Sequence, residues 1–199
     1  MRRPIPIMPA SIILLEKPMT EALNEQTTEL RGEAKKEAFH REAESKIVNF
    51  AFVRPNEHIP DGNKMHVKLA GTNTCQASVQ ILVKGGDNNL HYHPNQDLIY
   101  MVLKGKVEFY GPGEKLLGVY GENEGLLLPE NARYWFKGVT DEAHLLQIAG
   151  YPKGKAASKR VAVAKDQRGD TRMSFDITKN KLLIRTVKKS IEDSEFKFS

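Results

Sequence analysis

Cysteine is nearly absent: Cys75 stands alone among 199 residues, so no intramolecular disulfide framework exists. Without disulfides, a cytoplasmic location is the default expectation, and a lone cysteine opening a strand-like run reads as a small core residue. Long hydrophobic runs are missing too. The longest, Pro4 to Leu15, is interrupted by Pro4, Pro6 and Pro9 and falls short of the roughly 20 apolar residues that a spanning helix needs. Met1-Arg2-Arg3 precedes it, but the prolines and the lack of a small-residue cleavage site argue for an extended arm rather than a secretion signal. Walker-type phosphate loops, dinucleotide fingerprints and nucleophile elbows are likewise lacking. These absences exclude the common nucleotide-binding and serine-hydrolase classes.

The net charge of +5 is unevenly placed. Residues 151–199 hold 13 Lys and Arg against 6 Asp and Glu, a balance of +7, whereas the preceding residues hold 17 against 19, a balance of −2. The basicity therefore belongs to a C-terminal extension. Its basic stretch has no base-stacking aromatic before Phe175, so nucleic acid is not the expected partner.

Between Thr20 and Val48 the chain turns to Glu, Lys, Ala and Leu without proline, which favours one or two surface helices, with Gly32 as an interruption. After the Ile59-Pro60-Asp61-Gly62 turn signal the pattern becomes β. Strands are predicted at Met65–Leu69, Gln76–Lys84, Leu98–Leu103, Lys106–Tyr110, Leu116–Tyr120, Gly125–Leu128, Arg133–Lys137 and Ala143–Ile148, separated by Gly- and Asn-rich turns. Many short strands with no helical pattern between them point to an antiparallel sandwich or barrel. The chain thus divides into an N-terminal arm and helix over 1–59, an all-β barrel over 60–150 and a basic extension over 151–199. Within the extension, Lys181 to Val187 is the one convincing strand or helix.

The chemistry-bearing stretch is GGDNNLHYHPNQDLIYMVLKG, residues 85–105. Alternate side chains of a strand share a face, so His91 and His93 point the same way and form a natural chelating pair for a divalent metal. A further ligand would be needed, commonly a carboxylate or a third histidine. Tyr100, Val102, Tyr134 and Phe136 have the parity to point inward with the pair, Val102 and Phe136 as core. That surrounding suits a small, partly apolar or aromatic molecule. His144 is a third imidazole only if its strand face is the interior one; His40, His58 and His66 have no partners in sequence.

This region resembles the cupin family. The family's first motif runs Gly, five residues, His-x-His, three or four residues, Glu, six residues, Gly; here Gly85, His91-Tyr92-His93 and Gly105 follow it. The second motif is echoed by GENEGLLLPENARYWFKG, residues 121–138, with Pro129 in register and Asn131 in place of a glycine. Asn tolerates the left-handed turn required there. The resemblance implies a cupin-type antiparallel β-barrel (a double-stranded β-helix), a homodimer, and a small-molecule enzyme using a divalent metal. Iron with dioxygenase chemistry is favoured; zinc, manganese or nickel remain open.

The departures fall on the ligands. Leu98 stands where the family places its glutamate, with Asp97 beside it, and Tyr134 stands where the last histidine belongs. Three readings stay open. His91, His93 and Asp97 or Tyr134 hold a metal, with Tyr100 or Tyr134 positioning substrate as catalytic residues. Alternatively the site is metal-free and works as an isomerase or epimerase, or it only binds a small molecule.

Overall fold

The computed structural model describes residues 19–163, 171–176 and 181–186. The expected N-terminal arm over 1–18 and the charged C-terminal end lie outside these residues. Two compact units divide the chain, 1–48 and 49–199.

The first unit contributes one helix, α1 (Met19–Glu44), which runs unbroken through Gly32. Its composition of strong helix formers favours this, and the Glu37–Arg41 ion pair at 3.0 Å, four residues apart, adds a few tenths of a kcal/mol. Among the described residues no helix is long and apolar enough to cross a membrane.

The second unit is all-β, as the strand pattern predicts. Its strands are β1 (Lys64–Gly71), β2 (Cys75–Val83), β3 (His91–Tyr92), β4 (Asp97–Lys104), β5 (Val107–Tyr110), β6 (Leu116–Tyr120), β7 (Gly125–Leu128), β8 (Trp135–Gly138), β9 (Glu142–Gly150), β10 (Val161–Ala162), β11 (Thr171–Asp176) and β12 (Lys181–Thr186). A seven-stranded sheet has the order β12-β11-β1-β2-β9-β4-β7, and a three-stranded sheet the order β6-β5-β8. All pairings are antiparallel except β1 with β11.

Strict alternation on β4 turns Leu98, Tyr100 and Val102 inward and leaves Ile99, Met101 and Leu103 exposed. The inward residues meet Val107 and Phe109 of β5, Tyr134, Phe136 of β8, and Leu145 of β9 in one buried cluster, so the two sheets face each other across a shared core. A second cluster lies on the other face of the large sheet, where Met65, Val67, Val79 and Ile81 meet Ile59 and Met173. The sheet therefore extends past residues 60–150: β11 adds in parallel to β1, and the expected Lys181–Val187 element is the strand β12.

The turns use the residues expected of them. Gly105 has φ 76°, and Asn131 has φ 65°, the left-handed conformation that the motif requires at that position. Cys75 departs from expectation. As the first residue of β2 it is exposed rather than buried, because it sits where the strand emerges from the Thr72–Thr74 turn.

Candidate functional site

His91 lies on β3 and is buried at 2% exposure; His93, just past the strand, is half-buried. Their rings approach edge to face with centroids 5.0 Å apart, so the structure brings the predicted pair together. Each imidazole is fixed by its Nδ1. In His91 it lies 2.7 Å from the Asn89 carbonyl oxygen, and in His93 3.0 Å from the Lys159 carbonyl oxygen. A carbonyl only accepts, so both Nδ1 atoms carry the proton and donate it, which leaves the lone pair on each Nε2.

The Lys159 carbonyl comes from the C-terminal extension. There β10 pairs with β3, Val161 opposite Tyr92 and Ala162 opposite His91. Arg160 directly precedes this strand, and its charge bears on both imidazoles. Its guanidinium donates to the Asn89 side-chain oxygen. Buried Asn95 and Gln96 fasten the approach to this strand: Lys153 N donates to Asn95 Oδ1 at 2.9 Å and Ser158 Oγ to Gln96 Oε1 at 2.8 Å. Arg160 escaped the sequence reading because it sits in a basic stretch that reads as solvated. Only the β3–β10 register reveals it.

Two effects hold the pair neutral. Burial pushes the His91 pKa well below the ordinary histidine value, and the charges of Arg160 and Lys64 push it further. Burial, with Arg160, lowers His93 to about 4. Between pH 6.5 and about 4 the unfolded chain thus takes up a proton that folded His93 refuses. Stability attributable to His93 should fall as pH drops through that window and level off below it. The check is a series of urea midpoints for wild type and His93→Gln. Wild type should lose stability relative to His93→Gln as pH falls from 6.5 to about 4, with a constant difference above and below that window, and parallel curves would contradict the assignment.

Tyr134 lies beneath the pair, its ring 4.5 Å from His91. Its hydroxyl turns into the core and meets the Tyr100 hydroxyl at 3.0 Å. On the neighbouring strands, Gln80 Nε2 donates to Gln147 Oε1 at 2.7 Å. Burial pushes both tyrosine pKa values up, so neither phenol ionises near neutral pH. Phe109 and Phe136 complete a ring cluster that fills the space between the sheets. Tyr100, Val102, Tyr134 and Phe136 do face inward together, yet they form packed core rather than the lining of an open, mainly apolar pocket.

The structure does not bring Asp97 to the histidines. It is exposed, on the face of β4 opposite Leu98, and its Oδ1 accepts from Glu130 N at 2.9 Å. The one-residue offset from the family's glutamate position turns the side chain outward. His144 is also apart, on the outer face of β9, where its Nε2 lies 2.7 Å from Glu142 Oε1 and its ring packs on Phe52. Among the described residues no three His, Cys, Asp or Glu side chains come together as a metal site. Among the described residues the pair thus supplies two nitrogen donors, fewer than the three protein ligands a divalent cation of the cupin kind calls for.

No protein-family model and no curated protein matches this chain. Among solved structures, it is similar to an RmlC-like cupin protein from Desulfovibrio desulfuricans at 19% identity, covering 52% of this chain and 97% of that one, with a TM-score of 0.45. A cupin superfamily protein from Desulfitobacterium hafniense gives 13% identity over 52% and 99%, TM-score 0.43. KdgF from Halomonas sp. gives 16% over 53% and 88%, TM-score 0.42.

Proposed function

We propose that this chain is a cupin-like protein that binds a small molecule at the β3 rim without a metal ion. His91 and His93 serve there as hydrogen-bond acceptors through their Nε2 atoms. The observation that carries this reading is the electrostatic setting of the pair. Among the described residues, Arg160 and Lys64, both cationic, bear on His91, and the predicted carboxylate, Asp97, faces outward. At 4 Å a like-charge contact costs about 4 kcal/mol at the effective dielectric of a protein surface, and a divalent ion doubles it.

Within this reading the protein is either a pure binding module or a metal-independent enzyme of the isomerase or epimerase kind, with a neutral imidazole as proton acceptor. The dioxygenase expectation needs a metal, and the third ligand it called for does not reach the pair. One observation keeps a metal-bound reading as the second choice: Nδ1 locked on a backbone carbonyl is also how metal-ligating histidines are oriented. A homodimer belongs to the proposal as well, and light scattering of the full chain decides it.

Metal content measured by mass spectrometry, after exposure to iron, zinc, manganese and nickel salts and desalting, separates the two readings. Far less than one ion per chain, unchanged in His91→Ala, is expected. Near-stoichiometric metal that disappears in His91→Ala and His93→Ala would overturn the proposal.

A further inference from the structure

The apolar outer face of the seven-stranded sheet is covered at one end only. At β1 and β2, Phe52 and Ile59 from the segment ahead of the sheet pack onto it. On β4 and β7 the same face stays open to water: Ile99 is 45% exposed, Met101 37% and Leu127 62%. Leu146 and Ile148 of β9 lie half-buried beside them. Monomers seldom leave such a contiguous apolar face in water, and it marks a site of association.

The ladder registers make this face self-complementary. Ile99 lies between Ile148 and Leu127 in one row, and Met101 lies between Leu146 and Gly125 in another. The row between them, Leu126–Tyr100–Gln147, turns inward by strand alternation. A second copy turned by 180° about that middle row keeps the strands of the two sheets aligned, as face-to-face sheets require. It then sets Ile99 on Met101, Leu146 on Ile148, and the protruding Leu127 on Gly125, which has no side chain to oppose it. Charge matches in the same arrangement. The outer face of β4 begins at exposed Asp97, and the strand ends at Lys104. There Lys104 and Arg54 share the one carboxylate of Glu142, two cations on a single anion. The turn brings Asp97 of each copy to the basic end of the other.

We infer that two copies of this chain associate through the outer face of β9, β4 and β7, related by a two-fold axis along the Leu126–Tyr100–Gln147 row. This rests on the homodimer of the reading above and assigns its surface.

Light scattering of the full chain at micromolar concentration tests it. Wild type is expected at twice the chain mass of 22.4 kDa. Ile99→Glu and Met101→Lys each press an unpaired charge onto an apolar side chain of the other copy, so each alone should run at 22.4 kDa. Mixed in equal amounts, the two should regain the doubled mass, because the carboxylate of one chain then meets the ammonium of the other. That recovery also shows that both variants are folded. Leu117→Glu is the control: Leu117 is 42% exposed, but it lies on β6 in the other sheet, and the variant should keep the dimer. A wild type at 22.4 kDa overturns the homodimer and the surface together and leaves the face to a different occupant. A dimer that survives Ile99→Glu and Met101→Lys, no recovery on mixing, or equal loss in Leu117→Glu overturns the surface alone.

Discussion

Tyr134→Ala is expected to destabilise the chain by about 3–5 kcal/mol, the range found when a buried aromatic ring is removed and the cavity only partly collapses. Tyr134 is 1% exposed and touches rings on several sides: His91 at 4.5 Å, Tyr100 at 5.9 Å, and Phe109 and Phe136 at 6.5 Å each between centroids. None of these neighbours is a flexible surface group that could swing in. The hydroxyls give a finer test. Tyr134→Phe removes the partner of the buried Tyr100 hydroxyl, and should cost about 1–3 kcal/mol. Tyr100→Phe does the same to the Tyr134 hydroxyl, and should likewise cost about 1–3 kcal/mol. The double Phe variant should cost less than the sum of the two, since the interaction is lost only once. Urea unfolding of the four proteins reads these differences. Because the Tyr134 hydroxyl is engaged with Tyr100, Tyr134→Phe should leave His91 in its neutral Nδ1–H form. A changed His91 tautomer in a folded Tyr134→Phe would restore to Tyr134 the catalytic or positioning role that the sequence suggested.

Gly105→Ala should be the second severe change, at about 2–5 kcal/mol when a left-handed penalty of about 1–2 is added to an overpacking cost of about 1–3. Gly105 turns the chain from β4 into β5 with φ 76°. A Cβ there would lie 2.3 Å from Thr140 Oγ1 and 2.6 Å from the Glu142 carbonyl oxygen. Thr140 cannot easily swing away, because its hydroxyl accepts from Lys106 N at 3.2 Å and donates to that same Glu142 oxygen at 3.0 Å. Gly85 is the control. It opens the same motif with φ 82°, but a Cβ there meets nothing within 4 Å. Gly85→Ala should therefore show only the conformational penalty of about 1–2 kcal/mol. Equal unfolding midpoints for the two variants would mean that the Gly105 contact is not what makes alanine intolerable.

Strand alternation made most of the β region legible. Leu116–Tyr120 and Gly125–Leu128 coincide with β6 and β7, and the other six predicted strands of the β region overlap observed ones to within a few residues. Parity likewise put Tyr100, Val102, Tyr134 and Phe136 on one inward face. What parity could not supply was depth. It does not distinguish a residue that lines a cavity from one that fills it, and here the aromatic rings fill the space. Nor could it resolve Asp97, whose role depended on where β4 begins; the strand starts at Asp97 itself, so the carboxylate points out. The short strands β3 and β10 carry too few residues for any pattern, and β11, TRMSFD, has no clean alternation because its pairing with β1 is set by distant chain. Arg160 is the functional consequence of that gap. Its position is a matter of register between residues some seventy apart, which local sequence does not encode.

The most direct test of the central claim is a long-range ¹H–¹⁵N correlation spectrum of the histidine imidazoles in the full chain at neutral pH. His91 and His93 should both appear as the neutral Nδ1–H tautomer, with Nε2 signals that zinc leaves in place. Imidazolium signals, or Nε2 resonances that shift stoichiometrically with zinc, would contradict a neutral acceptor pair beside a fixed cation and return the site to metal chemistry.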